Sequence, residues 1–472
     1  MDAAYREIAN RILGGDGQEL NPGQERALQL FGEFLEKKPL RGVFILTGAA
    51  GTGKTFLVRV IAGILAAKGR KSVLLAPTGR SAKVVSRRAK KNAFTIHRYI
   101  YSPKESVSGA ISFSLKNNTD AAGVCYIVDE ASMVGDAQSG RSLLRDLLEF
   151  AWSNDPEKPV IMVGDPYQLP PVGSSISPAL DPDYLKAKYM ASASGFELKE
   201  ILRQQLDSGI LEWAIVLRNS LTDGTIPVLE STRGKDVQIL EGIHEGIEIV
   251  SPYFNSGNKE QAVILTYSNR AASQINRGIR HLVFETEEEI VPGELLMVVK
   301  NNYALGDKQF PFIANGEMGI VREANLNTME ERYGLKWMDV VLEFRDLKEN
   351  PVLVDCKIIL SLLQDHAAQV SPDLLKLTAE NRWAEYSDMT RAEKLLAFRN
   401  DRFINALQVK YAYAITVHKA QGGQWEKVVV AFEPQYSGIE IKDYIRWTYT
   451  AISRAEKSLY VVNCPLLKSE FN

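Results

Sequence analysis

The eight residues Gly48-Ala-Ala-Gly-Thr-Gly-Lys54-Thr55 constrain this chain more than any other stretch of its sequence. They fit the pattern G-x-x-x-x-G-K-[ST], they follow a β-rich run at 43–47, and they precede apolar residues at helical spacing that end at Gly69. This strand–loop–helix order is the context in which the pattern forms a phosphate-binding loop. Backbone N–H groups would face phosphate oxygens, Lys54 would reach the β- and γ-phosphates, and Thr55 would hold magnesium. The predicted contacts to the nucleotide are Gly48, Ala49, Ala50, Gly51, Thr52, Gly53, Lys54 and Thr55.

Two further strand-like runs end in side chains that such a site needs. "VCYIVDEAS" ends in Asp129 and Glu130, and "PVIMVGDPYQLPPVG" continues to Asp165 and Gln168. A carboxylate at a strand tip can hold magnesium, and an adjacent glutamate can polarise the attacking water. We therefore predict Asp129 as a magnesium ligand beside Thr55, and Glu130 as the catalytic base. The alternation of strands and helices predicts an α/β fold with ligands at the tips of a parallel sheet.

The second half of the chain has similar strand signals but no second phosphate loop. Its strand-like runs are "QAVILTYSNR", "KVVVAF" and "KSLYVVN". It also offers Arg203, Arg270 and Arg454. Arginines from a partner domain can stabilise the charge of a phosphoryl-transfer transition state. We therefore expect one nucleotide in a cleft between two similar sheets.

Length, charge and cysteine content limit the possible classes. A chain of 472 residues is too long for one ordinary domain, and a net charge of −2 means that nucleic-acid binding must use a local groove. The three cysteines are far apart and have no metal-ligand spacing. The apolar runs are too short for a membrane span, and the N-terminus lacks the apolar region of a signal peptide. These features predict a cytoplasmic protein in a reducing setting without a membrane partner.

Nine segments resemble, in order, the motifs of the superfamily 1 helicases, and most closely those of the B branch with its RecD-like and phage Dda-like members. The segments are "LNPGQERAL", "GAAGTGKT", "LLAPTGRSAKVVS", "TIHRYI", "VDEAS", "VGDPYQLPPVG", "LKEILRQQ", "YAITVHKAQGGQWEKVVV" and "YTAISRAEKSLYVV". The resemblance covers nearly the whole chain. It implies two RecA-like parallel-sheet motor domains, the first at 1–198 (domain 1A) and the second at 199–290 and 401–472 (domain 2A).

The resemblance also implies roles for single residues. Gln24 would read adenine, and Gln168 would sense the γ-phosphate and link the cleft to DNA. Arg203 and Arg454 would contact the γ-phosphate from the second motor domain. One segment departs from the family, because it reads "AQGGQW" where a glutamate usually lies near the ribose. Gln424 would offer an uncharged hydrogen bond there.

A basic cluster indicates where a DNA strand would run. Between Arg80 and Lys91 lie six basic residues and no acidic one. For those beyond Lys83, a solvated helix face is an equally good interpretation. Residues within the motif-like segments are stronger candidates, since phosphate contacts from them would give affinity without sequence recognition. The predicted DNA contacts are Pro77, Thr78, Arg80, His97 and Phe113 in the first half, and Asn269, His418, Lys419 and Gln421 in the second.

Two insertions are predicted within the motor domains. Residues 101–120 alternate polar and apolar side chains around a Ser-Gly turn, which predicts a β-hairpin. By resemblance this hairpin (1B) is a pin that splits the duplex, and Phe113 either stacks on a base or packs on its own domain. Residues 291–400 predict short strands and then helices, one starting at Ser371 as N-cap and Pro372 as first residue. By resemblance they form an SH3-like β-barrel (2B) with a helical extension.

The sequence thus predicts an ATP- and magnesium-dependent DNA helicase that works as a monomer on single-stranded DNA and at junctions with duplex DNA. Movement from 5′ to 3′ is implied by the resemblance alone. Two alternatives remain open at this point. One is an ATP-gated DNA-binding subunit of a nuclease or repair assembly without unwinding of its own. The other is an RNA helicase of the same superfamily.

Overall fold

The fold is described from a computed structural model. The model describes residues 8, 9, 12, 19–105, 111–137, 142–200, 208–230, 236–306, 313–346, 349–433 and 440–467. For residues 103–105 and 111–113 it describes the backbone alone. Arg203 and the side chain of Phe113 therefore lie outside the described residues.

Strands and helices alternate along most of the described chain. The strands are β1 (Gly42–Gly48), β2 (Ser72–Ala76), β3 (Ala93–Thr95), β4 (Tyr101–Glu105), β5 (Ile111–Leu115), β6 (Cys125–Val128), β7 (Val160–Gly164), β8 (Ser192–Leu198), β9 (Val237–Leu240), β10 (Ala262–Thr266), β11 (Leu295–Val298), β12 (Met318–Arg332), β13 (Leu335–Arg345), β14 (Pro351–Ile359), β15 (Val409–Tyr411), β16 (Ala414–Thr416), β17 (Trp425–Ala431) and β18 (Ala455–Val462). The helices are α1 (Pro22–Lys37), α2 (Lys54–Ala67), α3 (Gly79–Ala89), α4 (Ile96–Ile100), α5 (Leu143–Trp152), α6 (Pro182–Tyr189), α7 (Gly209–Asp223), α8 (Ile243–Asn255), α9 (Asn269–Phe284), α10 (Ser361–Gln364), α11 (Pro372–Glu385), α12 (Arg391–Arg399), α13 (Val417–Ala420) and α14 (Ile441–Ile452).

The first half is built on a parallel sheet of six strands in the order β3-β2-β6-β7-β1-β8. Both faces of this sheet are covered. Along β1, Phe44 and Leu46 belong to one buried cluster, whereas Val43 and Ile45 belong to the cluster on the opposite face. This follows from the two-residue period of a strand, and double burial explains why the strands read as continuous apolar runs. The prediction of a parallel α/β sheet around the phosphate loop is confirmed.

The second half contains a second parallel sheet, in the order β16-β10-β17-β18-β9. Its apolar residues share one continuous core with an antiparallel sheet of five strands in the order β14-β13-β12-β11-β15. The antiparallel sheet is followed by α11 and α12, and Ser371 and Pro372 begin α11 as predicted. The expectation of a second parallel sheet is therefore confirmed. The inserted strands were predicted to be short, but β12 and β13 have 15 and 11 residues. The SH3-like barrel and the domain limits remain predictions.

Strands β4 and β5 form a separate antiparallel pair, with Tyr101 opposite Leu115. The hairpin predicted at 101–120 is thus present, while its action as a pin remains a prediction. Among the described residues, no helix has the length and apolar character needed to cross a lipid bilayer.

Candidate nucleotide and DNA sites

A cavity of about 920 Å³ lies between the first half and the second. We call it the cleft. It is lined from the first half by the phosphate loop and the tips of two central strands, and from the second half by the segments around Gln424 and Arg454. The predicted residues that line it are Ala50, Gly51, Gly53, Lys54, Thr55, Asp129, Glu130, Gln168, Gln424 and Arg454.

The phosphate loop joins β1 to α2 through a backbone that requires glycine. Gly51 and Gly53 have φ of +80° and +83°, in the left-handed region that favours glycine. A Cβ at Gly48 would lie 2.6 Å from the Thr52 hydroxyl oxygen, so this position must also stay small. The Lys54 ammonium donates to the carbonyl oxygens of Gly48 at 2.7 Å and Ala49 at 2.9 Å. The Lys54 ammonium therefore lies against the backbone at the start of the phosphate loop.

Thr55 and Asp129 meet at the floor of the cleft. The Thr55 hydroxyl oxygen lies 3.5 Å from Asp129 Oδ2, and the backbone N–H of Glu130 donates to Asp129 Oδ1 at 2.9 Å. Burial raises the pKa of the Asp129 carboxyl to about 7, and the neighbouring charge of Glu130 adds to the rise. A hydroxyl and a carboxylate oxygen are the hard ligands that magnesium prefers. The pair therefore fits the predicted magnesium site, where a cation would favour the charged form of Asp129.

Gln168 is buried at the tip of β7 and lines the same cleft. Its amide nitrogen lies 3.4 Å from Asp165 Oδ2. Its amide oxygen Oε1 has no hydrogen-bond partner among the described residues. Buried polar atoms are usually paired, so this oxygen is available to a ligand in the cleft.

Arg454 is 3% exposed, which excludes a solvated surface arginine. Its guanidinium donates to the Thr450 carbonyl oxygen at 3.0 Å, the Ser453 hydroxyl at 2.9 Å and the Gly423 carbonyl oxygen at 3.3 Å. These contacts hold it at the cleft wall opposite Lys54. Its predicted contact with the γ-phosphate remains a prediction.

Gln24 is fully buried and does not line the cleft. The Gln24 side-chain oxygen accepts from the Asn21 N–H at 3.1 Å, and the Asn21 side chain accepts from the Gln24 N–H. The side-chain amide nitrogen of Gln24 lies 3.4 Å from the Thr52 carbonyl oxygen. This is a capping box at the start of α1, signalled in the sequence by Asn21-Pro-Gly-Gln24. The structure therefore gives Gln24 a helix-capping role beneath the loop, and adenine recognition remains a prediction.

Sequence reasoning missed Tyr449, which lies in the same segment as Arg454. Its hydroxyl accepts from the backbone N–H of Ala50 at 3.0 Å and donates to Asp165 Oδ2 at 2.7 Å. The next residue, Thr450, accepts from the Leu169 N–H at 2.8 Å. The sequence signal was the position of this tyrosine within "YTAISRAEKS", five residues before the arginine.

A second, small pocket gathers predicted DNA contacts of the second half. Asn269, which starts α9, and Lys419, which follows β16, both line it together with Lys410. Lys419 makes no hydrogen bond or ion pair with any residue that the structure describes. Burial, and then the charge of Lys410, lowers the pKa of the Lys419 ammonium to about 8. Lys419 is half-buried. A half-buried cation without a partner among the described residues, close to the end of a parallel strand, is a candidate site for a phosphate group.

The other predicted DNA contacts lie in varied surroundings. The Thr78 hydroxyl caps α3 by accepting from the Ser81 N–H at 3.1 Å, and Pro77 before it is half-buried. Burial lowers the pKa of both His97 and His418, which favours their neutral forms. Gln421 is buried, and its amide donates to the Leu169 carbonyl oxygen at 2.8 Å, so it joins the two halves. DNA contact by these residues remains a prediction.

Two family models match the sequence, each in one half. One, described as an AAA domain, matches residues 19–234, and one described as a UvrD-like helicase C-terminal domain matches residues 411–462.

The chain is 25% identical over 489 aligned positions to the uncharacterized protein MJ1519 of Methanocaldococcus jannaschii, covering 94% of this chain and 38% of that protein. It is 24% identical to the ATP-dependent DNA helicase Dda of phage T4, covering 59% of this chain and 61% of Dda. It is 34% identical over 133 residues to the ATP-dependent RecD2 DNA helicase of Deinococcus radiodurans, covering 28% of this chain and 16% of RecD2. Over these stretches the chain is similar to helicases of superfamily 1B.

The chain spans less than two thirds of the length of each of these relatives. Its departure from the family at "AQGGQW" has a structural counterpart. The Trp425 ring is 1% exposed, and the Arg80 guanidinium lies 3.8 Å above it and donates to the Gln424 carbonyl oxygen at 3.4 Å. Burial lowers the pKa of Arg80 to about 10. Arg80 is therefore directed into the second half by a cation–π contact.

Three further residues of the basic cluster follow Arg80 along α3 and face the second half of the chain. Arg87 and Arg88 are exposed, as the interpretation of a solvated face requires, whereas Lys83 is half-buried. All three face an acidic residue that is far away in the sequence. At Gly422, where φ is +72°, an added Cβ would lie 2.8 Å from Ser81, so the two halves are in close contact beside them. The pairs are Lys83–Glu317 at 2.5 Å, Arg88–Glu456 at 2.9 Å and Arg87–Glu349 at 3.7 Å.

Proposed function

We propose that the chain is an ATP-hydrolysing DNA helicase that moves along single-stranded DNA and opens duplex DNA. The observation that carries the proposal is the composition of the cleft. Lys54, Asp129 and Glu130 line it from the first half, and Arg454 lines it from the second. A site divided between two sheets makes hydrolysis depend on their closure, and that dependence can convert ATP turnover into motion.

In this proposal the chain's own residues position the triphosphate and the attacking water. Lys54 binds the β- and γ-phosphates, and Glu130 accepts a proton from the water. The unpaired Oε1 of Gln168 accepts a hydrogen bond from the same water and so orients it toward the γ-phosphate. Magnesium held by Thr55 and Asp129 would neutralise phosphate charge.

Arg454 supplies the remaining charge from the other side of the cleft. Its hydrogen bonds to Thr450, Ser453 and Gly423 fix the guanidinium on the second half, so it can reach a γ-phosphate when the halves close. The same role is proposed for Arg203. Gln424, which lines the cleft, would contact the ribose without charge.

The DNA strand is proposed to cross the carboxyl ends of both parallel sheets. On the second half, the unpaired ammonium of Lys419 beside Asn269 offers a phosphate contact. On the first half, Thr78 and His97 follow β2 and β3 at the corresponding edge. Dda and RecD2 are named as ATP-dependent DNA helicases, which supports DNA as the substrate. The resemblance to the B branch supports movement from 5′ to 3′ by a monomer, with the hairpin 101–120 as a pin and the domain limits given above.

The experiment is strand displacement by the purified chain on duplexes that carry either a 5′ or a 3′ single-stranded tail. We expect magnesium- and ATP-dependent unwinding of the 5′-tailed duplex, together with ATPase stimulation by single-stranded DNA. The Lys54→Ala variant is the control, and it should lose hydrolysis while it keeps DNA binding.

Each contrary outcome selects one alternative. Intact DNA-stimulated ATPase without unwinding of either duplex would favour a subunit of a larger nuclease or repair assembly. Stimulation by single-stranded RNA but not by DNA would favour an RNA helicase. Hydrolysis by Lys54→Ala at the parent rate would show that the phosphate-loop assignment is wrong.

A further inference from the structure

The Tyr449 hydroxyl joins three parts of the cleft that come from distant segments of the chain. It is fully buried. It accepts a hydrogen bond from the backbone N–H of Ala50 in the phosphate loop at 3.0 Å, and it donates one to the Asp165 carboxylate after β7 at 2.7 Å. Both partners belong to the first half, whereas Tyr449 lies on α14 of the second half. A single oxygen therefore bridges the two halves inside the nucleotide site.

The Ala50 N–H is a group that a phosphate would also use. Ala50 lines the cleft next to Gly51 and Lys54, and backbone N–H groups of such a loop bind phosphate oxygens. An N–H has a single hydrogen, so a phosphate oxygen and the Tyr449 hydroxyl compete for it. Nucleotide binding is thus opposed by the bond that holds α14 against the loop.

Tyr449 is connected to two candidate catalytic residues, to Gln168 through Asp165 and to Arg454 through its own helix. Asp165 Oδ2 accepts from the Tyr449 hydroxyl and lies 3.4 Å from the amide nitrogen of Gln168. On α14, the residue after Tyr449 is Thr450, whose carbonyl oxygen accepts from the Arg454 guanidinium at 3.0 Å. A displacement of Tyr449 therefore acts on Gln168 through Asp165 and on Arg454 through one turn of helix.

We infer that Tyr449 is a positioning residue, whose hydroxyl is displaced from Ala50 by the bound triphosphate and thereby sets Gln168 and Arg454 for hydrolysis. The inference rests on the proposed ATPase function and adds to it the group that senses phosphate. It requires opposite effects on two measured quantities. Removal of the hydroxyl should favour nucleotide binding and should impair turnover.

The test is Tyr449→Phe, which keeps the ring and removes both hydrogen bonds. The measurements are the dissociation constant for a non-hydrolysable ATP analogue, and the kcat and KM for ATP at saturating single-stranded DNA. We expect the analogue to bind about two- to tenfold more tightly, because one competing hydrogen bond is lost. We expect the DNA-stimulated kcat to fall about tenfold or more, because Gln168 and Arg454 lose their common link.

Tyr444→Phe is the matched control, because Tyr444 is a buried tyrosine of the same helix that packs against Phe432 and Trp447. It should leave both quantities unchanged. A Tyr449→Phe protein that behaves like this control, or that loses affinity and kcat together, would overturn the inference.

A second variant covers the case in which Tyr449→Phe does not fold because the buried Asp165 loses a donor. The double variant Asp165→Asn, Tyr449→Phe replaces the carboxylate by an amide and should again bind the analogue more tightly. Weaker binding than in Asp165→Asn alone would refute the inference. If the unchanged protein hydrolyses no ATP, the proposed function fails, and the binding measurement still decides whether Tyr449 competes with phosphate.

Discussion

Replacement of Lys419 by methionine is expected to stabilise the fold and to weaken DNA binding. The Lys419 side chain is half-buried, and within the described part of the chain its ammonium has neither a hydrogen-bond acceptor nor an ion-pair partner. Folding therefore removes part of the hydration of its charge without replacing it by protein contacts. Methionine would keep the packing of the unbranched stem and remove the charge.

The size of the effect follows from the pKa. Burial lowers the pKa of Lys419 from 10.5 to about 8. At about 1.4 kcal/mol per unit, this difference corresponds to about 3 kcal/mol at pH 7, and we expect a gain in unfolding free energy of about 1 to 3 kcal/mol.

The gain depends on pH in a defined direction. Below pH 8 the lysine is charged in both the folded and the unfolded chain, so the full cost is present. Between pH 8 and 10.5 the folded chain loses the proton first, and the stability of the unchanged protein rises toward that of the variant. The advantage of Lys419→Met should therefore shrink through this window. Denaturant unfolding at pH 7 and pH 10 measures it, and a gain that grows with pH would refute the reasoning.

Lys410 provides a matched control in the same pocket, because burial lowers its pKa also to about 8. Its ammonium donates to the carbonyl oxygens of Leu362 at 3.0 Å and Asp365 at 2.7 Å. Lys410→Met would leave these acceptors unpaired and should destabilise the protein. In fluorescence anisotropy with single-stranded DNA, Lys419→Met should bind more weakly and with a smaller dependence on salt, because one phosphate contact is lost. Unchanged DNA affinity, or a loss of stability equal to that of Lys410→Met, would show that Lys419 is not an unpaired phosphate-binding cation.

Two further predictions concern the cleft and the hairpin. Arg454→Ala should keep ATP binding, while its DNA-stimulated hydrolysis, measured by phosphate release, should fall about 1,000-fold. Near-normal hydrolysis would show that the arginine has only a structural role. Phe113→Ala should impair strand displacement more than DNA-stimulated ATPase, because a residue of the proposed pin would act on the duplex and not on the nucleotide. Equal losses in the two assays would argue against a pin.

Features encoded within a short stretch of sequence could be predicted. The strand, glycine loop and helix around Lys54 are such a stretch, and so are the alternating β-α signals that gave the two parallel sheets. The start of α11 at Ser371 and Pro372 was also predicted, because capping depends on neighbouring residues. In each case, the residues that determine the structure are adjacent in the chain.

Contacts between distant segments could not be predicted. The Tyr449 hydroxyl meets Ala50 across 399 residues, and Lys83 meets Glu317 across 234. The sequence shows α3 as a basic helix, but nothing near it indicates which acidic side chains face it. Gln24 was interpreted from its motif position alone, so its capping box with Asn21, three residues earlier, was not predicted, while adenine recognition remains a prediction.

The ion pairs of α3 have a consequence for measurements made in salt. Arg87–Glu349 and Arg88–Glu456 have side chains that are 40% to 71% exposed, whereas Lys83 and Glu317 are 17% and 8% exposed. Added salt screens exposed pairs far more than buried ones. The same salt also weakens phosphate contacts with DNA. Ionic strength would therefore act on two equilibria at once, the proposed binding of DNA and the contact between the two halves of the chain. The number of phosphate contacts is usually derived from the salt dependence of DNA binding. Weakening of the ion pairs within the protein would add to that dependence, and the number of contacts would be overestimated.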